Sequence, residues 1–168
     1  MASEREYAET EMDRRLANIV RLGTVEEADF DKARVRIRCG DMLTGWLPWL
    51  TGRAGKDKDW WAPDIGEQVM VLSPSGEPAQ GVVLLGVYQD GFPQPETDVN
   101  KRTVVFEDGT KVTYDRSAHK LDVIIKGDVD LKVDGEATIN VTGKVDLKVD
   151  GEAMIKAAFI RLNPTGGN

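Results

Sequence analysis

The sequence predicts an all-β chain with a short N-terminal helix: a small closed barrel followed by an intertwined, trimeric, triple-stranded β-helix. Three observations carry this. Gly127, Gly135, Gly143 and Gly151 recur every eighth residue, and Val133, Val141 and Val149 each stand two places before a glycine. Every odd-numbered residue from Gly127 to Ala157 is Gly, Ala, Val, Leu or Ile, while the even-numbered ones are polar or charged until Met154 and Ala158. Upstream, short alternating apolar runs between residues 20 and 88 are separated by turn residues.

Residues 1–20 form the helical segment. Ser3 can cap it, Glu4 and Glu6 suit its first turn, and Met12, Leu16, Ile19 and Val20 fall on one modest apolar stripe. The helix is expected to dock on a neighbouring element. Residues 21–92 then read as strands. Val20, Leu22, Thr24 and Ala33, Val35, Ile37, Cys39 alternate, with Glu26–Lys32 as the turn between them. Trp46–Leu50, Glu67–Leu72 and Gly81–Tyr88 supply three more strands. Five strands with one long loop, Thr51–Pro63, fit a closed barrel of the OB type. Residues 93–102, with Pro93 and Pro95, are the expected linker. Residues 103–126 hold antiparallel strands at the base of the shaft. There Glu107-Asp-Gly-Thr110 is a hairpin signal, because Asp-Gly suits turns with positive φ. The octads occupy 127–158, and 159–168 form the C-terminal apex, where the alternation ends.

An octad with one dry and one wet face cannot close a core alone. Fixed-period units of this kind bury their apolar face only against neighbours. Two octads together return almost verbatim, Val129–Ile139 as Val145–Ile155. A glycine every eight residues lets the chain turn a corner and tolerates the φ needed there, leaving strands of ordinary length between corners. Three chains wound together form a prism whose core is Val129, Leu131, Val133, Ile139, Val141, Val145, Leu147, Val149 and Ile155. Burying each such side chain is worth roughly 1.5–3 kcal/mol. Hexapeptide helices and the nine-residue Ca²⁺-binding roll have other periods, and a coiled coil needs 3.5. An ordinary but repetitive antiparallel sheet would need hairpin turns within 127–158, and none is present in the sequence.

Net charge is −7 in 168 residues, and the sequence pI is near 4.8. A nucleic-acid backbone needs a basic stripe, which the acidic octads do not provide, so no nucleic-acid partner is expected. Cys39 is the lone cysteine and can form no intrachain disulfide. Met1 is followed by a charged helical stretch with no secretory h-region, so folding in a cytoplasm is expected.

The runs Arg15–Thr24, Ala33–Arg38, Thr44-Gly-Trp-Leu-Pro-Trp-Leu50, Trp60-Trp61, Ile65–Leu72 and Gln80–Leu84, followed by the Val-x-Gly octads, carry a family resemblance. The chain resembles the central spike, or baseplate assembly protein V, of contractile-tailed bacteriophages and phage-like bacteriocins. It is also similar to the shaft end of type VI secretion spikes. The resemblance covers nearly the whole chain and implies an N-terminal OB-fold, a homotrimeric β-helical shaft and a place at the tip of the tail tube in a virion or tail-like particle. There the spike would nucleate baseplate assembly and be driven through the bacterial outer membrane on sheath contraction. Implied partners are tail hub or baseplate proteins at the OB-fold end and a PAAR-type tip protein at the C-terminal end. Several family members bind iron through a His-x-His pair; here the lone histidine is His119, so that site is not carried over.

Candidate sites are therefore structural. Gly127, Gly135, Gly143 and Gly151 are corner glycines, and Phe159, Ile160, Leu162 and Asn163 form a platform for a docked tip. No catalytic, metal-binding or cofactor-binding residue is expected. Glycosidic chemistry needs two carboxyls facing across a cleft, whereas Asp130, Asp134, Glu136, Asp146, Asp150 and Glu152 alternate with lysines on a wet face. His119 reads as a solvent-facing loop residue. Trp46, Trp49, Trp60 and Trp61 read as core or subunit-interface packing. The alternative function is an OB-fold module binding nucleic acid or carbohydrate, with an acidic trimerising tail; a third reading is a polysaccharide-degrading enzyme.

Overall fold

The computed structural model describes residues 4–161. Two compact units divide the chain between Lys126 and Gly127.

The first unit begins with α1 (Glu4–Ile19). Glu11 accepts hydrogen bonds from Arg14 at 2.8 and 2.9 Å and from Arg15 at 2.7 Å. These bonds, with Arg14's the larger cause, hold its carboxyl down at about 2. The apolar stripe read from the sequence does not face a core: Met12 and Leu16 are more than half-exposed, Ile19 is 41% exposed, and Asn18 is the buried residue of the helix. Contact is made instead through the Arg15–Asn18 side, which rests on the turn Pro74–Gly76. The Ser73 N–H donates to the Ile19 carbonyl at 2.8 Å. Capping by Ser3 lies outside the described residues.

Five strands follow: β1 (Val20–Asp29), β2 (Arg34–Cys39), β3 (Met42–Leu43), β4 (Gln68–Leu72) and β5 (Val82–Val87). They pair antiparallel in the order β3-β2-β1-β4-β5. Glu26–Asp29, expected as turn, continue β1 past a bulge between Val25 and Glu27. Arg36 pairs with Glu27 at 2.8 Å and Arg38 with Glu26 at 2.9 Å, so the acidic residues have cross-strand partners and the turn shrinks to residues 30–33. The Trp46–Leu50 run is not a regular strand either. Pro48 has no N–H to give a ladder. The run instead bridges Leu47 to Val35 and Trp49 to Val83. In the second bridge Leu50 N–H donates to the Val83 carbonyl at 2.8 Å and Val83 N–H to the Pro48 carbonyl at 2.9 Å. These isolated bonds tie β2 to β5 and close the ring.

Val25, Val35, Ile37, Cys39, Leu47, Val69, Val71 and Val83 fill the barrel. The alternation of β2, with every second residue buried, is the period-2 pattern expressed in packing. Cys39 is 2% exposed, and burial pushes its thiol up from its ordinary range. Since the thiolate is the nucleophile, maleimide should leave the native chain unlabelled and react only after denaturation, as read by intact mass. Rapid native labelling would contradict this core.

Still within the first unit, β6 (Lys101–Val105), β7 (Lys111–Asp115) and β8 (Lys120–Ile124) form a three-stranded antiparallel sheet. The Glu107–Thr110 turn forms where expected. Gly109 has φ +83°, and Thr110 N–H and Oγ1 donate to the Asp108 carboxylate at 2.7 and 2.9 Å. Phe106 stacks on Trp61 at 5.8 Å between centroids, joining this sheet to the long barrel loop.

The second unit, through Arg161, has neither helix nor paired strand among its described residues. The chain bends at 126–127, 134–135, 142–143 and 150–151, then again at 158.

Candidate functional site

The bends coincide with Gly127, Gly135, Gly143 and Gly151. None of these glycines has a positive φ. A Cβ added at any of them would meet nothing within 4 Å in its own chain. Neither backbone strain nor intrachain crowding therefore requires glycine at the bends.

Between the bends, the nine apolar residues expected as a core have no core within this chain. Val149 is 48% exposed, Val133 49% and Ile139 88%, with Val129, Leu131, Val141, Val145, Leu147 and Ile155 between these limits. The even-numbered positions are exposed too, and Lys144 pairs with Asp146 at 2.8 Å. The chain exposes 14486 Å² in total for 18.5 kDa, whereas a compact monomer of that mass exposes about 8,200 Å². A segment with every second residue apolar and its apolar side chains exposed is surface suited to burial against other chains.

At the far end Phe159 is 74% exposed and Ile160 48% exposed. The Arg161 guanidinium lies 5.7 Å from the Phe159 ring centroid. Leu162 and Asn163, the other two platform residues, lie outside the described residues.

His119 is exposed in the turn after β7, with φ +52°. The octad carboxylates are exposed, and no group of His, Cys, Asp and Glu able to hold a metal occurs among the described residues. Trp49 packs partly buried against the barrel core, with Trp60 tilted beside it at 5.4 Å. Trp46, Trp60 and Trp61 are about half-exposed, and Arg36 lies 5.9 Å from the Trp46 ring centroid. Trp49 and Trp60 line a cavity of about 400 Å³ with Arg34, Arg53, Lys58 and Asp59.

Sequence reasoning missed one feature of the barrel. Cross-strand pairing aligns Val20 with Leu72 and Leu72 with Val82, then Leu22 with Met70 and Met70 with Leu84. Partners directly opposite share a face, and this face is opposite the buried Val69, Val71 and Val83. The signal was available: Val69–Leu72 and Val82–Leu85 are unbroken apolar runs, the pattern of a sheet covered on both sides.

Residues 21–88 match the type VI secretion system/phage-baseplate injector OB domain. Over 131 residues the chain is 36% identical to the spike protein of Escherichia phage P2, covering 78% of this chain and 62% of that protein's length. On a β-rich chain with a single N-terminal helix, the injector OB domain match at residues 21–88 and the likeness to the phage P2 spike protein support a phage baseplate spike family for this chain.

Proposed function

We propose that three copies of this chain form the central spike at the tip of a contractile tail or tail-like particle, with residues 127–158 as a triple-stranded β-helix. The spike nucleates baseplate assembly and punctures the bacterial outer membrane when the sheath contracts. The observation that carries this is the octad segment. Its nine apolar residues alternate with polar or charged ones, its bends fall at a fixed spacing, and it has no pairing partner among the described residues of its own chain. Three copies supply the partners: the apolar face turns to the axis, and backbone groups pair between chains. A shaft in which each strand is hydrogen-bonded to other copies resists bending and axial load, which a piercing element needs.

In this reading residues 21–92 attach the spike to tail hub or baseplate proteins, and 93–126 lead into the shaft. Phe159, Ile160, Leu162 and Asn163 present the end on which a PAAR-type tip protein docks. The blunt end of a prism leaves strand groups open to pairing, and a cap removes that liability. The work is mechanical and uses no cofactor. The protein folds in the host cytoplasm and acts from the particle.

Sedimentation of the full chain tests the core of the proposal, with three times the 18.5 kDa chain mass expected at micromolar concentration. A monomer there would sink it. Titration with single-stranded oligonucleotides, followed by tryptophan fluorescence, tests the competing binding-module reading through the half-exposed Trp46, Trp60 and Trp61. No change is expected; saturable quenching would favour the competitor.

A further inference from the structure

We propose that the cavity between Trp49 and Trp60 is a docking site for an acidic peptide segment of a partner protein, one that carries an aromatic side chain beside its carboxylates. The inference rests on the reading of residues 21–92 as the attachment end, and gives that end a site and its partner a chemistry. The cavity measures about 400 Å³, near the lower end of the roughly 300–1,000 Å³ of ligand pockets, so it admits one large side chain. Backbone bonds fix both of its walls. Leu50 N–H donates to the Val83 carbonyl and Val83 N–H to the Pro48 carbonyl, which seats Trp49 on β5. In the long loop, Asp59 N–H donates to the Arg53 carbonyl at 2.9 Å, the Thr51 hydroxyl donates to the Asp59 carbonyl at 3.1 Å, and Ala54 bridges Lys58. Trp60 thus stands beside Trp49, the rings tilted by 58° with centroids 5.4 Å apart. A third ring enters such a cleft edge to face, an arrangement that aromatic groups favour.

Charge selects the occupant. Arg34, Arg53 and Lys58 line the cavity against one acid, Asp59, in a chain whose net charge is −7. The Lys58 ammonium has no ion-pair or hydrogen-bond partner among the described residues. The Arg53 guanidinium has Asp57 at 3.8 Å, with both side chains largely exposed, a pair that holds it weakly. Arg34 donates to the Lys32 and Ala33 carbonyls at 3.2 and 2.9 Å, neutral acceptors that leave its charge uncompensated. Carboxylates on an incoming segment satisfy these cations while its ring fills the cleft, an aromatic anchor within a charged rim. A nucleic-acid strand instead asks for a continuous basic groove with successive stacking rings, and a neutral glycan would leave the three cations unused.

Fluorine NMR of the full chain carrying 5-fluorotryptophan tests the site, with the Trp60 resonance identified by its loss in Trp60→Phe. The probe is acetyl-Glu-Glu-Phe-Glu-Glu-amide, and acetyl-Lys-Lys-Phe-Lys-Lys-amide is its charge-reversed control. The acidic peptide should shift Trp60 saturably at millimolar concentration and leave Trp46 in place, and the control should shift neither. The double variant Arg53→Glu/Lys58→Glu changes two exposed side chains and should bind the acidic peptide at least about tenfold more weakly. An unmoved Trp60, or equal shifts with both peptides, overturns the proposal. A Trp60 shift produced by oligothymidylate and not by the peptide assigns the cavity to nucleic acid and overturns it too. In a second arm, wild type and double variant are each assembled with the baseplate proteins of the particle, and only wild type should be incorporated. A double variant incorporated like wild type overturns the proposal and leaves attachment through residues 21–92 standing. A wild-type chain that joins no baseplate protein removes the attachment reading and this partner with it.

Discussion

Leu147→Asp is expected to turn the trimer into a monomer while leaving the barrel folded. Leu147 is 77% exposed in the single chain, so the substitution costs nothing there. In the threefold shaft it sets three carboxylates beside one axis. An unpaired buried charge costs several kcal/mol, and three of them reach about 10 kcal/mol, comparable with the 5–15 kcal/mol that stabilises a typical domain. The control is its neighbour. Lys148 sits at an even position, outward in the proposed prism, and Lys148→Asp should remain trimeric. Sedimentation reads both variants, and the continued silence of Cys39 toward maleimide reports that the barrel is intact. Equal behaviour of the two variants would remove the inward–outward parity on which the shaft depends.

That parity was readable because it is a local property: a period of two survives whatever the chain pairs with. β2 was readable for the same reason, since Arg34–Cys39 alternate and the structure buries every second residue. Misreadings arose where a distant partner decides. Glu26 and Glu27 resembled turn residues until Arg38 and Arg36 on the opposite strand gave them ion pairs. Trp46–Leu50 resembled a strand, yet Pro48 limits it to isolated bridges. The stripe on α1 suggested a buried face, but Met12 and Leu16 point to solvent and Asn18 is buried. The rows on β1, β4 and β5 escaped notice because period-2 reasoning assumes one wet face. Among the candidate residues, the corner glycines and apolar octad positions follow from spacing alone. Their contacts were not legible, because in the proposed trimer they belong to other copies.

Gly76→Ala is expected to release α1 from the barrel. Gly76 has φ +71°, a left-handed conformation that costs a residue with a side chain about 1–2 kcal/mol. Its added Cβ would also fall 2.1 Å from the Arg15 carbonyl oxygen and 2.6 Å from the Arg15 Cα. Those are backbone atoms, so no rotamer change relieves the clash and the helix must move. A detached helix of 16 residues is at the margin of stability in water. Its one buried residue, Asn18, would lose its site, along with the Ser73 N–H bond to Ile19. Circular dichroism should show loss of most of the helical signal, and hydrogen exchange should show residues 4–19 opening while β2 and β4 stay protected. Ser75→Ala provides the comparison. Ser75 also has a positive φ, 55°, but its side chain is already accommodated and exposed, so α1 should remain docked. A helix unaffected by Gly76→Ala would mean that its seat is not the Pro74–Gly76 turn.

The absence of any ladder within residues 127–161 has a kinetic consequence. In the proposed trimer the partners of this segment lie on other molecules, so its ordering has no unimolecular rate, depends on encounters and accelerates with chain concentration. The barrel can fold first and on its own schedule. The shaft must wait, and while it waits it is an apolar strand open to mispairing. Its lysines and acids at alternate positions keep that interval harmless, because like charges brought opposite each other in a wrong register repel. Chains released close together, as from ribosomes sharing one message, would shorten the wait. Diluting the nascent chains would lower the yield of complete shafts before it affected a single barrel.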